Sequence, residues 1–142
     1  MSVATHDLAT LRGYWTAEDI SVKVRLGILN GDLERQARDE RNRDKHLLLQ
    51  ALAEEGLCPP AHDEAWTPQL ADAIHAYLAR SPALLFMVQL EDLTNEAQQA
   101  NMPGTIMDYP NWKRRLGQSL EEIATNPVLA QSMAMIALER NS

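Results

Sequence analysis

Apolar positions along the chain follow a helical stripe in most places and an unbroken run in one. "TAEDISVKVRLGIL" opens with Thr16 as an N-cap, carries Glu18 and Asp19 in its first turn, and sets Ile20, Val24, Leu26 and Ile28 on a partial apolar stripe. This predicts a helix that Asn30 and Gly31 break. Asp32 is positioned to cap a second, longer helix running to about Glu55 and stopped by Gly56. Its first half, "LERQARDERNRDKH", mixes charges of both signs, and its second half, "LLLQALAEEG", is apolar. "LCPPAHDEAWTP" reads as a loop by its prolines and lack of period. Thr67 then caps "PQLADAIHAYLAR", with Pro68 at the first helical position and Leu70, Ile74, Tyr77 and Leu78 on one face, and Ser81 and Pro82 end that helix.

"ALLFMVQL" breaks the helical rhythm. A continuous apolar run of this length, punctuated before its start, predicts a strand buried on both faces, the kind found in parallel sheets. The one partner for it in this chain is a stub of strand-like residues at Ser2 to Thr5, followed at once by the polar cluster Thr5-His6-Asp7. The long polar connection "EDLTNEAQQANMPGTIMDYPNW" follows, and loops of that length are usually functional. Asn111 is expected to cap a helix over "WKRRLGQSLEEIAT", and Asn126 with Pro127 to open a last helix through about Glu139. No internal repeat or low-complexity segment occurs. The expected fold is mainly α with one or two strands.

Composition narrows the partners. Thirteen Lys and Arg stand against twenty Asp and Glu, a formal net charge of -7, and a field of that sign repels nucleic-acid backbones and anionic lipid surfaces. Neither nucleic acid nor a membrane is expected as a partner, since the longest notable apolar run, Ala83 to Val88, falls far short of the roughly 20 residues a span needs. Cys58 is the sole cysteine, which points to a reducing cytoplasm and leaves no intramolecular disulfide. His46, His62 and His75 have no ligand spacing, so no metal or other cofactor is expected. The alternating charges of the long helix have the pattern of a solvated face with i,i+4 pairs. Met87, Met102, Met107, Met133 and Met135 read as gap fillers in apolar contacts. On its own, a Thr-His-Asp triplet often does no more than cap a turn.

Four segments in this order, "THDLATLRGYW", "LLFMVQLEDL", "NMPGT" and "YPNWKRRL", resemble the C-terminal part of the bacterial 4-alpha-glucanotransferases, also called amylomaltases or disproportionating enzymes, of glycoside hydrolase family 77. The resemblance spans nearly the whole chain. It implies a C-terminal fragment of a (β/α)8 TIM barrel acting on alpha-1,4-glucans by the retaining route, in which two carboxylates about 5 to 5.5 Å apart serve as nucleophile and acid/base. Those two lie after earlier strands of the family, to which no part of this chain corresponds. On this reading residues 1–142 comprise the end of strand seven, a helical insert, strand eight and closing helices.

The resemblance assigns Asp7 as a third carboxylate that stabilises the transition state, with His6 beside it contacting a sugar hydroxyl. Barrel chemistry sits on loops at the C-terminal ends of strands, where this pair would fall. Asn101, Pro103, Gly104 and Thr105 match a loop on the same face and become candidate substrate contacts: Asn101 offers a donor and an acceptor, and Gly104 a positive φ or a close backbone approach. Asn111 is expected to cap and Trp112 to pack. Glu91 and Asp92, after the strand, either reach the barrel mouth or form structural ion pairs. Two departures stand out. Ala9 and Lys113 occupy positions where the family usually has Pro and Arg, and loss of the proline loosens the turn after Asp7. The implied partners are maltooligosaccharides or other alpha-1,4-glucans, together with the upstream barrel or a second copy of the chain. The fragment is expected to be inactive alone. A different class fits the bare residues as well, a self-standing acidic helical module for protein interaction.

Overall fold

A computed structural model describes residues 1–57 and 65–141. Cys58, Pro59, Pro60, His62 and Asp63, all assigned to a loop from sequence, lie outside the described residues. The described elements are α1 (Leu11–Trp15), α2 (Glu18–Arg25), α3 (Gly31–Glu54), α4 (Pro68–Ala79), α5 (Leu90–Leu93), α6 (Leu120–Thr125) and α7 (Pro127–Arg140).

Where sequence signals are local and complete, helix ends fall as expected. Thr67 accepts from the Leu70 amide to cap α4, with Pro68 supplying a residue that has no N–H to orphan. Asn126 caps α7 in the same way through the amides of Val128 and Leu129. Elsewhere tertiary contacts move the boundaries. Thr16 does not cap α2. Its hydroxyl donates back to the Arg12 carbonyl at 2.8 Å and so belongs to the end of α1, while Ala17, at φ +57°, turns the chain into α2. Asn30, rather than Asp32, stands at the entrance of α3 in an extended conformation.

The 24 residues of α3 bury little of themselves. Pairs such as Arg35–Asp32 at 2.7 Å and Arg38–Glu34 at 2.9 Å cover its first half, as the charge pattern predicts. Arg41 departs from that pattern. It is buried and bidentate on Asp19 at 2.9 Å for both bonds, and its guanidinium lies 3.5 Å from the centroid of the Tyr14 ring. Such a fork fixes α3 to the α1–α2 corner by planar geometry that a lysine lacks.

The main core forms where α1, α3 and α4 meet: Leu11, Trp15, Leu52, Leu70, Ala73 and Ile74. A second cluster joins Val22 of α2 to Met102 and Tyr109 of the long polar connection. Met102 thus fills a gap as expected, whereas Met87 and Met107 are exposed. α7 lies against α4, tied by Arg80 to Glu139 at 2.7 Å and by Ser132 donating to Asp72 at 2.6 Å.

The run "ALLFMVQL" is not a buried strand here. It meets the amino-terminal stub in one parallel bridge, Ser2 with Met87, supported by the Met87 amide donating to the Met1 carbonyl at 2.9 Å. Leu84 is 95% exposed and Leu85 75%. A strand covered on both faces needs layers above and below and neighbours on both sides, and the described residues supply the Met1–Ser2 stub along one edge and the Arg140 side chain on the Ala83 carbonyl. The helix expected from Asn111 is also absent. Residues 112–119 are non-helical, and α6 starts eight residues past Trp112 on a Ser119–Glu122 capping box.

Candidate functional site

Thr5 to Leu8 form a tight turn, closed by the Leu8 amide donating to the Thr5 carbonyl at 2.9 Å, with His6 and Asp7 at its two corners. Both side chains are more than half free of the protein or close to it, at 59% and 50% exposure. The turn follows the Ser2–Met87 parallel bridge by a few residues, so the pair stands on the C-terminal side of that bridge.

The long connection comes back to the same place. Asn101 donates its side-chain amide to Asp7 Oδ1 at 2.6 Å, and its backbone amide to the His6 carbonyl at 3.2 Å. Two segments 94 residues apart are thereby held as one surface, with the other Asp7 oxygen 3.4 Å from His6 Nε2. A carboxylate oriented by an amide donor and still open to solvent can accept from ligand hydroxyls and stabilise nearby positive charge.

The remaining candidates shape this loop in different ways. Pro103 lines a cleft of about 610 Å³ together with Asp7, Leu8, Leu11 and Ile74. Gly104 sits at φ +83° with open space where a Cβ would stand, so its requirement is the turn and not a close approach. Thr105 is bound inside the loop: its hydroxyl donates to the Met102 carbonyl at 2.7 Å and accepts from Asn111 at 2.9 Å. Asn111 is therefore a loop staple and not a helix cap, for its side-chain oxygen also accepts from the Met102 amide at 2.8 Å. Tyr109 completes the scaffold by donating from its hydroxyl to the Gln99 carbonyl at 2.8 Å.

Trp112 corrects a second expectation. Instead of packing in the interior it is 65% exposed, and its ring lies 5.1 Å from the His6 ring at an interplanar angle of 47°. No apolar period surrounds it in the sequence, and that lack of partners was the available signal. Asp92 is also resolved from its two alternatives, being buried and accepting from the Leu11 amide at 2.6 Å through Oδ1. It supports the entrance of α1 through this backbone bond. Burial pushes its carboxyl above the ordinary aspartate range, against the Leu11 hydrogen bond, which pulls the other way.

A mainly helical chain whose two strand-like segments meet in one parallel bridge, with polar loops on its C-terminal side, is a section of a barrel enzyme of the (β/α)8 class. The family model described as 4-alpha-glucanotransferase, glycoside hydrolase family 77, matches residues 1–120, and the chain belongs to that family. A 4-alpha-glucanotransferase from Haemophilus influenzae is 36% identical over 145 residues, covering 99% of this chain and 21% of its own length. The enzyme of the same name from Mycobacterium tuberculosis is 31% identical over 112 residues, covering 79% of this chain and 15% of its own. Among solved structures, amylomaltase from Corynebacterium glutamicum superposes with a TM-score of 0.82 at 27% identity, over 98% of this chain and 21% of that one. The chain thus spans about a fifth or less of the relatives it matches.

Proposed function

We propose that this chain supplies one wall of the donor-sugar site of a 4-alpha-glucanotransferase, which moves alpha-1,4-glucan segments between maltooligosaccharides by the retaining route. Residues 1–142 would then comprise the end of strand seven, a helical insert, strand eight and the closing helices of the barrel. The observation that carries this reading is the Asn101–Asp7 hydrogen bond at 2.6 Å, because it joins two family-like motifs into one polar, solvent-open surface.

In this role Asp7 accepts hydrogen bonds from the donor sugar as its ring flattens, and its charge opposes the positive charge that grows at the anomeric carbon. Asn101 fixes which Asp7 oxygen faces the ligand. His6 donates to a sugar hydroxyl from the adjoining corner of the turn. Pro103, Gly104 and Thr105 hold the loop that carries Asn101. The attacking carboxylate and the acid/base come from the upstream barrel, which the 610 Å³ cleft beside Asp7 leaves room to receive. The single cysteine fits action in a reducing cytoplasm.

The chain alone should release no glucose from maltotriose. Joined to the upstream part of the Haemophilus influenzae relative in place of that protein's matching segment, it should restore glucose release and build longer maltooligosaccharides. Transfer by the isolated chain, or a folded chimera without transfer, would refute the reading.

A further inference from the structure

Trp112 has a conformation that its surroundings impose. Its φ of +59° is left-handed, an uncommon state for any residue other than glycine and a genuine outlier for a bulky one. The strained turn is pinned on both sides. The Trp112 amide donates to the Ala100 carbonyl at 3.0 Å, one residue before Asn101, and the Lys113 amide donates to the Pro110 carbonyl at 3.2 Å. Asn111, immediately before it, is stapled to Met102 and Thr105. The result is an indole held out of the apolar interior and set against the imidazole of His6, whose carbonyl accepts from the Asn101 amide.

We infer that Trp112 is a positioning residue for His6, whose imidazole it holds in the orientation that meets the donor sugar. His6 is a corner residue of a tight turn with a 59% exposed side chain, and the Asp7 oxygen 3.4 Å from its Nε2 engages one edge of the ring while leaving its tilt about that contact open. A tilted ring contact with a fixed indole removes that freedom before the sugar arrives, and a misplaced contact group costs turnover more than ground-state binding. The inference rests on the reading of His6 as a donor-sugar contact.

The contact itself is measurable in this chain. The ring current of Trp112 should displace the His6 imidazole proton resonances in the NMR spectrum, and Trp112→Ala should return them towards those of a free histidine. Resonances unmoved by that substitution would overturn the inference. In the chimera, a double-mutant cycle reads the consequence. Trp112→Ala should lower kcat about 10-fold or more with KM nearly unchanged, and should cost almost nothing further in a His6→Ala background. Trp112→Phe should keep most of the turnover.

Trp112→Gly separates ring from backbone, since glycine relieves the left-handed strain. It should match or exceed Trp112→Ala in thermal stability and remain equally slow. Recovery of turnover in Trp112→Gly, or additive losses in the cycle, would show that the indole does not act through His6. A His6→Ala chimera with full turnover would instead overturn the reading of His6 on which this inference depends.

Discussion

Asp92 illustrates how one residue near the site serves the scaffold. Its Oδ1 accepts from the Leu11 amide, while Oδ2, like Nε2 of His75, has no hydrogen-bond partner among the described residues, and both side chains line a small pocket of about 40 Å³. Burial raises the folded carboxyl above its ordinary value of 3.8, so the folded chain holds the proton more tightly than the unfolded one. The associated stability is fully present below 3.8 and is lost as pH rises through the folded value. Asp92→Asn keeps an acceptor for Leu11 and offers an amide donor to the pocket without a charge to desolvate. It should stabilise the chain by roughly 1 kcal/mol at pH 7, with the gain shrinking as pH falls towards 4, in urea unfolding followed by circular dichroism. Asp92→Ala should destabilise at every pH, because it strands a buried amide. A loss at pH 7 in Asp92→Asn equal to that in Asp92→Ala would contradict this account. Nothing in the sequence distinguishes Asp92 from Glu91, since what separates them is the α1 backbone, 81 residues away.

At the scale of elements, α1 shows why some boundaries could be read and others not. Thr67–Pro68 and Asn126–Pro127 act on amides two or three residues away, so the signal and its partner lie in the same short stretch. α1 depends on distant chain. Thr10 accepts from the Gly13 amide at 3.0 Å and donates to the Glu96 carbonyl at 2.6 Å, and Gly13 lies so close to the Ala97 carbonyl that a Cβ would collide with it. The closeness of α1 to residues 96–97 is therefore set by the missing side chain. Gly13→Ala should cost on the order of 1–3 kcal/mol through this overpacking, read as a lower Tm. An unchanged Tm would mean that α1 and this segment are not in contact. The false helix over residues 112–118 has the same origin. An Asn-Trp pair looks like a cap and a packed aromatic until a loop 6–9 residues upstream takes the Asn side chain.

For the whole molecule, the order of segments and the His6–Asp7–Asn101 neighbourhood were legible because they follow motif order, whereas the state of "ALLFMVQL" was not. Its apolar pattern is that of a strand between two layers, and the described residues provide the Ser2 bridge, half-bury Phe86 and Val88, and leave Leu84, Leu85 and Met87 exposed. Leu84, Leu85 and Met87 form an exposed apolar strip beside the Leu85 carbonyl and Met87 amide that bond to Met1, and such a strip is a template for association. The isolated chain should form dimers or larger species in light scattering and bind a dye for apolar surface, and both signals should fall in the chimera, where barrel strands flank the run. A monodisperse, dye-silent monomer would contradict its assignment as an inner strand. No described helix is long and apolar enough to cross a membrane, so this strip is not part of a helical span.

The central claim, that the surface built by His6, Asp7 and Asn101 stabilises the reacting donor sugar, comes down to the charge on one carboxylate. Asp7→Asn in the active chimera keeps the shape and an acceptor while removing that charge. With maltotriose at saturation and glucose release as the readout, kcat should fall on the order of 10²-fold or more, with little change in donor affinity, because the opposing charge develops only on the way to the transition state. Turnover within a few-fold of the unsubstituted chimera would place the chemistry elsewhere and contradict the account.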